Sequence, residues 1–428
     1  MKKNLLYSTF YLIILSTIGK ILSFGVRIYL ARQLPLEAMS TYSLAVPSLI
    51  FLIALAQMGI PSALSKVIAE SKNQLNGILS AFILSTINNF VLLAIYIFII
   101  PLLAKNLYHD IEMTRILRSM IYMIPMVTLS GLCKAILQGN QYHLTACASQ
   151  IFEEIFRFVY LVIRFSNPVE NMMEYASIAM FSIFIGEVGS TLYMLLYLFI
   201  KKHPIKRRQH DLRKSHFYEI LALSIPMTSA RLIGSFTYFL EPLLFLSFSN
   251  HILLEEAYGI FNGYVLPLVT MPSFISITLS SVLLPTFVYH KKHNHLDHAM
   301  HIFYLMSFIC IFISTCCALI TFIFPNQILH LFYQTTSGSN MLKMISIPFI
   351  LYSLQPVFSS ILHALNQSNQ ALIDTIIGCA IRLLLILFLT SQLNENALLL
   401  SITSSMLITT LLHGIRIYLS IKRLKNFS

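Results

Sequence analysis

The sequence has little charge and no tryptophan, and it lacks the short motifs of the common enzyme classes. Charged residues make up only 11% of its 428 residues and hydrophobic residues 57%, with a mean hydropathy of +0.75. A soluble domain of this length cannot cover its surface with so little charge. The chain has no Walker phosphate-binding run, no Gly-x-Ser-x-Gly and no His-Glu-x-x-His. We therefore predict a membrane protein that is not an enzyme.

Metal sites, disulfides and nucleic acid binding are also disfavoured. The six cysteines lie in apolar stretches without Cys-x-x-Cys spacing, which predicts neither a disulfide framework nor a zinc site. A histidine-rich stretch at 290–301 is typical of a hydrophilic turn, and we predict no cofactor. The net charge of +12 does not indicate nucleic acid, because the basic residues lie in loops between apolar segments and form no continuous basic face.

The apolar residues form runs long enough to cross a bilayer, since a helix of about 20 residues spans its hydrocarbon core. Twelve such runs are present. They lie at about 5–31, 43–60, 78–104, 119–138, 145–165, 175–200, 218–248, 262–288, 301–324, 342–363, 371–391 and 396–420. The sequence thus predicts an all-α, multi-pass protein of the cell membrane. The lipid bilayer is its first partner, and we expect a monomer.

Lysine and arginine are concentrated in alternate loops, and the longest polar segment, 201–216, holds seven of them. Because such loops stay in the cytoplasm, we predict that this segment and both termini are cytoplasmic. The segment would link an N-terminal lobe, 1–200, to a C-terminal lobe, 217–428, with six spans in each.

The two halves share a pattern of prolines at an offset of about 224 residues. The matched pairs are Pro47 with Pro272, Pro61 with Pro285, and Pro125 with Pro348. Arg157 and Arg382 show the same offset. Such a repeat of even-numbered halves predicts a pseudo-two-fold axis along the membrane normal. Proline kinks a helix, so these six prolines are candidate hinges, with an ordinary packing kink as the alternative.

Several ionisable residues fall inside the predicted spans, where they are costly unless they face protein or water. Lys20 and Arg27 lie two helical turns apart in the first span, which has no acidic residue. Arg231 occupies the equivalent span of the second half, and Arg382 lies in the eleventh. We predict that these four cations line a central cavity for an anion, most simply a phosphate or pyrophosphate.

The remaining intramembrane charges are candidates for ion-linked or structural roles. They are Glu153, Glu154, Arg157, Glu187, Glu241 and Asp374. Glu153 and Arg157 are four residues apart and are expected to pair on one helix. Asp374 could pair with Arg382 in the same way or across helices. A monovalent cation is a candidate coupling partner, because no nucleotide-binding motif is present.

Three stretches of sequence resemble a known family. The first runs from Gly19-Lys20-Ile21-Leu22-Ser23-Phe24 through Arg27-Ile28-Tyr29-Leu30 to Gly59-Ile60-Pro61-Ser62-Ala63-Leu64-Ser65-Lys66. The second includes Gln138-Gly139, Glu153 and Arg157, and the third, which is similar to the eighth span of that family, includes Tyr258-Gly259. They are similar to the polysaccharide-transport branch of the multidrug/oligosaccharidyl-lipid/polysaccharide exporter superfamily. This resemblance implies a two-lobed, V-shaped fold that moves undecaprenyl-pyrophosphate-linked sugars, as the related lipid II flippases do.

Three functions remain open at this point. The first is a flippase for a lipid-linked saccharide precursor of cell-wall or surface polysaccharide, as the resemblance implies. The second is a cation-coupled multidrug antiporter of the same superfamily, which is expected to have a carboxylate in the first span or low in the seventh. The third is a membrane scaffold for cell-wall synthases that transports nothing.

Overall fold

The computed structural model describes residues 2–70, 74–108, 110–169, 171–201, 214–247, 251–292 and 295–426. Within these ranges the secondary structure is entirely helical. The α-helices are α1 (Lys2–Gln33), α2 (Leu36–Gln57), α3 (Ile60–Glu70), α4 (Gln74–Leu102), α5 (Met113–Ser119), α6 (Met123–Gly139), α7 (His143–Phe165), α8 (Met172–Ile200), α9 (Lys214–Leu246), α10 (His251–Ile260), α11 (Leu266–Thr270), α12 (Ser273–Lys292), α13 (Leu296–Ile323), α14 (Pro325–Tyr333), α15 (Ser339–Ser346), α16 (Gln355–Ala364), α17 (Ser368–Leu393) and α18 (Glu395–Asn426). Short π and 3₁₀ segments join some of them.

Nine helical segments of the described chain are long and apolar enough to cross a membrane. A tenth is a pair bent by 62°, formed by Ser339–Ser346 and Phe349–Ala364. Helices α7 and α9 occupy the other two predicted spans, and α7 carries four charged residues. The chain is therefore an all-α multi-pass membrane protein, and the number of twelve spans stays a prediction.

The second predicted span is broken between α2 and α3. Met58 and Gly59 both adopt positive φ angles, of 40° and 64°. The Met58 N–H closes the end of α2 by donating to the carbonyl of Ala54. Gly59 then redirects the chain, and Pro61 follows in the first turn of α3, where a missing N–H costs nothing. The motif Gly-Ile-Pro is thus the signal for this break.

The chain divides into two compact units, Met1–Phe239 and Leu240–Ser428, with the division inside α9. In the first unit α8 and α1 pack on α7, and α3 packs on α6. Its core around α3 includes Leu64, Val67, Leu132 and Ile220. The predicted lobe limits stay a prediction, and residues 202–213 of the proposed linker lie outside the described residues.

The second unit is built around α12, α13, α16, α17 and α18. Helix α18 packs along α17, and α12 packs against both α13 and α16. Phe287, Phe303, Val357 and Ile361 belong to one buried apolar cluster of this unit. Burial of such side chains orders the helices relative to each other within the unit.

Three of the six candidate hinge prolines lie at helix breaks, and three lie within helices. Those at breaks are Pro61 at the start of α3, Pro272 between α11 and α12, and Pro348 at the 62° bend. Those within helices are Pro47 in α2, Pro125 in α6 and Pro285 in α12. A proline at a break leaves fewer backbone hydrogen bonds to disrupt when the angle changes. The hinge role itself stays a prediction.

Candidate functional site

The two cations of the first helix differ in exposure. On α1, Lys20 is exposed and Arg27 is half-buried. No acidic residue occurs along α1, so no charge of the same helix neutralises either one. Gly19, beside Lys20, lies close to α7, since a Cβ there would be 3.2 Å from Oε1 of Gln150. Helix α1 therefore presents an exposed ammonium group next to a tight helix contact.

The break between α2 and α3 lies directly against α9. A Cβ on Gly59 would be 2.3 Å from Thr228 Oγ1 and 2.8 Å from the Ser224 carbonyl oxygen, so only glycine fits this position. Further along the contact between α2 and α9, Phe51 stacks on Phe239 with ring centroids 5.2 Å apart. Glycine at the break thus brings α9 close to the end of α2.

The close packing of α9 on the end of α2 brings Arg231 into contact with Gln57, the last residue of α2. Arg231 Nη1 donates a hydrogen bond of 2.7 Å to Gln57 Oε1, although the residues are 174 positions apart. Gln57 Nε2 in turn donates to the Val127 carbonyl of α6, at 3.3 Å. Gly131 of α6 leaves room for this amide, because a Cβ there would be 3.2 Å from Gln57 Nε2.

Arg231 is exposed, and the bond to Gln57 is its one hydrogen bond among the residues that the structure describes. A guanidinium group has five N–H donors in a planar fork, so most of its donors are left to face an external partner. Carboxylate and phosphate oxygens match that fork. Gln57 fixes the direction of the side chain and at the same time leaves its charge unneutralised, which suits the binding of an anion.

A second set of charges lies between α6, α7 and α8, and we name Glu153, Glu154 and Glu187 the acidic cluster. The Glu187 carboxylate lies near the hydroxyl groups of Ser130 and Ser190 and near Lys134. Glu153 is close enough to Glu154 and Glu187 for the three carboxylates to interact. Helix α8 approaches α7 closely at Gly186, where a Cβ would be 3.0 Å from the Glu153 carbonyl oxygen.

Arg157 contacts this cluster in a different way from the one that its spacing suggests. The expected partner was Glu153, four residues away, but the ion pair forms with Glu154, at 4.0 Å between Nη1 and Oε2. Arg157 Nε also donates to Ser182, at 3.2 Å, and Nη2 donates to the Tyr42 hydroxyl, at 3.3 Å. The hydroxyl groups of α8 and α2 orient the guanidinium, so its partner is set by tertiary packing.

In the second unit, two buried carboxylates each have an arginine partner from another helix. Glu241 of α9 has no exposed side-chain surface and forms an ion pair with Arg382 of α17. Asp374, equally buried, accepts from Arg416 Nε of α18 with both of its oxygens 2.7 Å away. Pairing of Asp374 with Arg382 was one of the alternatives left open by the sequence. The structure instead gives each carboxylate its own cation.

Two residues of these arrangements carried no signal in the sequence analysis. Gln57 is a neutral residue at the end of a span, and Arg416 lies near the basic C-terminal segment, where it reads as a topogenic charge. In the structure His413, three residues before Arg416, also faces this carboxylate, with its Nε2 3.9 Å from Asp374 Oδ2. Within the described residues, no group of three or more His, Cys, Asp or Glu side chains could hold a metal ion.

The fold is that of a known class of membrane transporter. The chain superposes on an inward-facing multidrug resistance MATE family transporter of the MOP superfamily with a TM-score of 0.75, covering 98% of this chain and 99% of that one. The sequences are only 13% identical, so this likeness shows the two-lobe fold alone.

Sequence comparison narrows the class. Stage V sporulation protein B of Bacillus subtilis (strain 168) is 26% identical over 96% of this chain and 83% of its own length. Lipid II flippase MurJ of the same organism is 22% identical over 100% of this chain and 84% of its own length. Residues 5–291 match the family described as polysaccharide biosynthesis protein. The chain belongs to this family, in the polysaccharide flippase branch of the MOP superfamily, and it is a membrane transporter of the flippase type and not an enzyme.

Proposed function

We propose that this transporter moves a saccharide precursor of cell-wall or surface polysaccharide, carried on undecaprenyl pyrophosphate, across the cell membrane. The observation that carries the proposal is the exposed Arg231 guanidinium, oriented by Gln57 and left without an acidic partner among the described residues. Lipid II, which the name of one relative gives as its cargo, is a lipid-linked saccharide, and this similarity supports the same substrate class here.

The division of work between protein and lipid follows from solvation energies. An ionised group that enters hydrocarbon without a partner loses many kcal/mol of hydration, whereas a prenyl chain is already soluble in the bilayer. The protein therefore has to bind the pyrophosphate and the sugar, and the tail can stay in lipid. Guanidinium and ammonium groups supply the compensating charge, and arginine does so with two parallel hydrogen bonds.

Arg231, Lys20 and Arg27 are the cations that we assign to the pyrophosphate. All three belong to the first unit, and Arg231 and Lys20 are exposed. Arg382, the fourth cation of the sequence prediction, is in an ion pair with the fully buried Glu241. A guanidinium that neutralises a buried carboxylate has less charge to offer a substrate, so we give Arg382 a structural role in this proposal.

The acidic cluster is the best candidate for ion coupling. Glu241 and Asp374 each have an arginine partner, whereas Lys134 and Arg157 are the cations near Glu153, Glu154 and Glu187 in the part of the chain that the structure describes. One carboxylate is therefore in excess. A proton that enters the cluster would restore neutrality, and the membrane gradient of protons would supply the driving force.

The acidic cluster also favours a second candidate, a cation-coupled multidrug antiporter. That function needs an acidic site for the coupling ion, and the cluster provides one. It also needs an acidic or apolar surface for a cationic drug, whereas α1 carries two cations and no carboxylate. Because α1 is positively charged, we prefer the flippase function to the antiporter function.

The orientation completes the proposal. We propose that both termini and the segment 201–216 are cytoplasmic, because alternate loops hold most of the lysines and arginines. A cysteine introduced at position 209 should react with a membrane-impermeant maleimide only after the cells are opened. Labelling in intact cells would show that the segment lies outside the cell and would contradict the proposed orientation.

The test of the substrate site compares three proteins reconstituted into vesicles with a labelled undecaprenyl-pyrophosphate-linked sugar. Arg231→Ala should slow translocation by about 10- to 100-fold, since a hydrogen-bonded contact with a charged group contributes roughly 1.5–3 kcal/mol. Arg231→Lys should restore the rate only in part, because lysine keeps the charge but not the fork. Lys105→Ala, which removes an exposed cation outside the site, is the matched control and should keep the wild-type rate. A wild-type rate for Arg231→Ala would contradict the electrostatic assignment.

A further inference from the structure

The first unit contains an open cleft, separate from Arg231, that has three arginines. It has a volume of about 610 Å³ and lies among α4, α5, α7 and α8. Arg115, Arg118 and Arg164 line it together with Glu174. We name it the arginine cleft. Lys20, Arg27 and Arg231 are not among its lining residues.

Helix α5 presents two of these arginines on one face. Arg115 and Arg118 are three residues apart and exposed, whereas Met113, Ile116 and Leu117 are buried in the protein. Neither guanidinium has an ion pair or hydrogen bond to any residue that the structure describes. Their charges are thus presented outward by a helix that is anchored by its other face.

The third arginine is partly neutralised. Arg164 Nη2 lies 3.3 Å from Glu174 Oε1, and Glu174 itself lies in the first turn of α8, whose N-terminus is capped by Asn171. A neighbouring cavity of about 520 Å³ shares Arg115 and Arg118 and adds Glu112. With two acids against three arginines across both cavities, the formal charge stays positive.

One wall of the arginine cleft is apolar. Ile97 and Tyr122 are both more than half exposed, at 52% and 58%. Pro101, also exposed, continues the same wall. The Tyr122 ring packs edge-on against Phe181, with centroids 6.2 Å apart, and Tyr160 contacts the same phenylalanine at 5.9 Å. Tyrosines in this setting are typical of the level of the lipid headgroups, where one side of the ring is apolar and the hydroxyl reaches water.

The position of these arginines runs against the distribution of charge in the rest of the chain. The ends of α4, α7 and the start of α8 belong to the side that the loop charges predict to be outside. Lysine and arginine are otherwise concentrated on the opposite side, which topology alone explains. Three arginines gathered around one cleft on the outer side therefore need another reason.

We propose that the arginine cleft binds the phosphate group of an anionic membrane lipid. Arg115 and Arg118 donate to the phosphate oxygens, and the lipid chains lie along Ile97, Pro101 and Tyr122. A free phosphate ion would gain nothing from that apolar wall, whereas a lipid uses both halves of the cleft. The proposal concerns a site apart from Lys20, Arg27 and Arg231 and holds whatever the transported molecule is.

Native mass spectrometry of the purified full-length protein tests it, with phosphatidylglycerol added as the probe. Arg115→Gln and Arg118→Gln should each weaken binding of the tightest phosphatidylglycerol by about tenfold, since each removes a charged hydrogen-bond donor. Lys105→Gln, the loss of one exposed cation from the segment just after α4, should leave that binding unchanged. Phosphatidylcholine, whose phosphate is internally neutralised, should bind at least tenfold more weakly than phosphatidylglycerol.

Two further readouts can overturn the proposal. If inorganic phosphate displaces the bound phosphatidylglycerol at millimolar concentration, the cleft is a site for a free anion and the lipid assignment is wrong. Equal phosphatidylglycerol binding by wild type and by both arginine variants would show that the cleft is not the binding site. Thermal unfolding in detergent without added lipid should be the same for all four proteins, because the three side chains are exposed and α5 keeps its buried face.

Discussion

The ion pair between Glu241 and Arg382 allows a structural role to be separated from a substrate role. The Glu241 side chain is fully buried, and that of Arg382 is 20% exposed. Apart from the Arg382 contact, neither carboxylate oxygen has a hydrogen-bond partner in the described part of the chain. Replacement of Arg382 by methionine would therefore leave a buried, unpaired carboxylate.

The expected cost of Arg382→Met is about 3–5 kcal/mol of unfolding free energy, because the loss of one partner of a buried ion pair leaves the other charge uncompensated. The double variant Glu241→Gln/Arg382→Met removes both charges and keeps the side-chain volumes similar. It should recover most of that loss. Unfolding of the purified protein in mixed detergent micelles, at increasing fractions of SDS, measures both differences.

Transport measured on the same proteins completes the test. If Arg382 is structural, the double variant should also regain most of the translocation rate that the single variant loses. A double variant that is as stable as wild type but inactive would show that Arg382 binds the substrate, and would refute the reasoning. A double variant as unstable as the single one would refute the assigned ion pair.

Two further predictions concern packing and pH. Gly131→Ala should cost about 1–3 kcal/mol and slow transport, because its Cβ would lie 2.9 Å from Pro61 Cγ, whereas Gly25→Ala, with nothing within 4 Å, should change neither in the same assays. Burial raises the pKa of Tyr108 from 10.0 to about 12. The folded state therefore keeps a proton that the unfolded state loses, so stability should fall by up to about 2–3 kcal/mol between pH 10 and pH 12, and Tyr108→Phe should show a smaller fall.

The helices could be predicted from the sequence because each span is a long apolar run of about 20 residues, and only a helix satisfies the backbone groups of such a run within the run itself. The break at Gly59 was not predicted, although Gly-Ile-Pro combines a residue that tolerates positive φ with one that starts a helix. The number of spans stays a prediction. For α7 to be one of them, its four charged residues would have to lie inside a membrane-spanning helix.

The partners of the intramembrane charges could not be predicted in the same way. Helical periodicity gives the face on which a side chain lies but not the helix that packs against it. Arg231 and Gln57 are 174 residues apart, and Asp374 and Arg416 are 42 apart, so both contacts depend on tertiary packing. Even within α7, hydroxyl groups from two other helices turned Arg157 toward Glu154. Only an assembled bundle contains that information.

The central claim, that the cations bind a pyrophosphate on a lipid-linked saccharide, is tested most directly by changing the linkage and keeping the sugar. Vesicles that contain the purified protein would receive one labelled saccharide in two forms, on undecaprenyl pyrophosphate and on a neutral prenyl ether. We predict translocation of the first form well above the rate in protein-free vesicles, and none of the second. Equal translocation of both forms, or translocation of the neutral form alone, would contradict the claim.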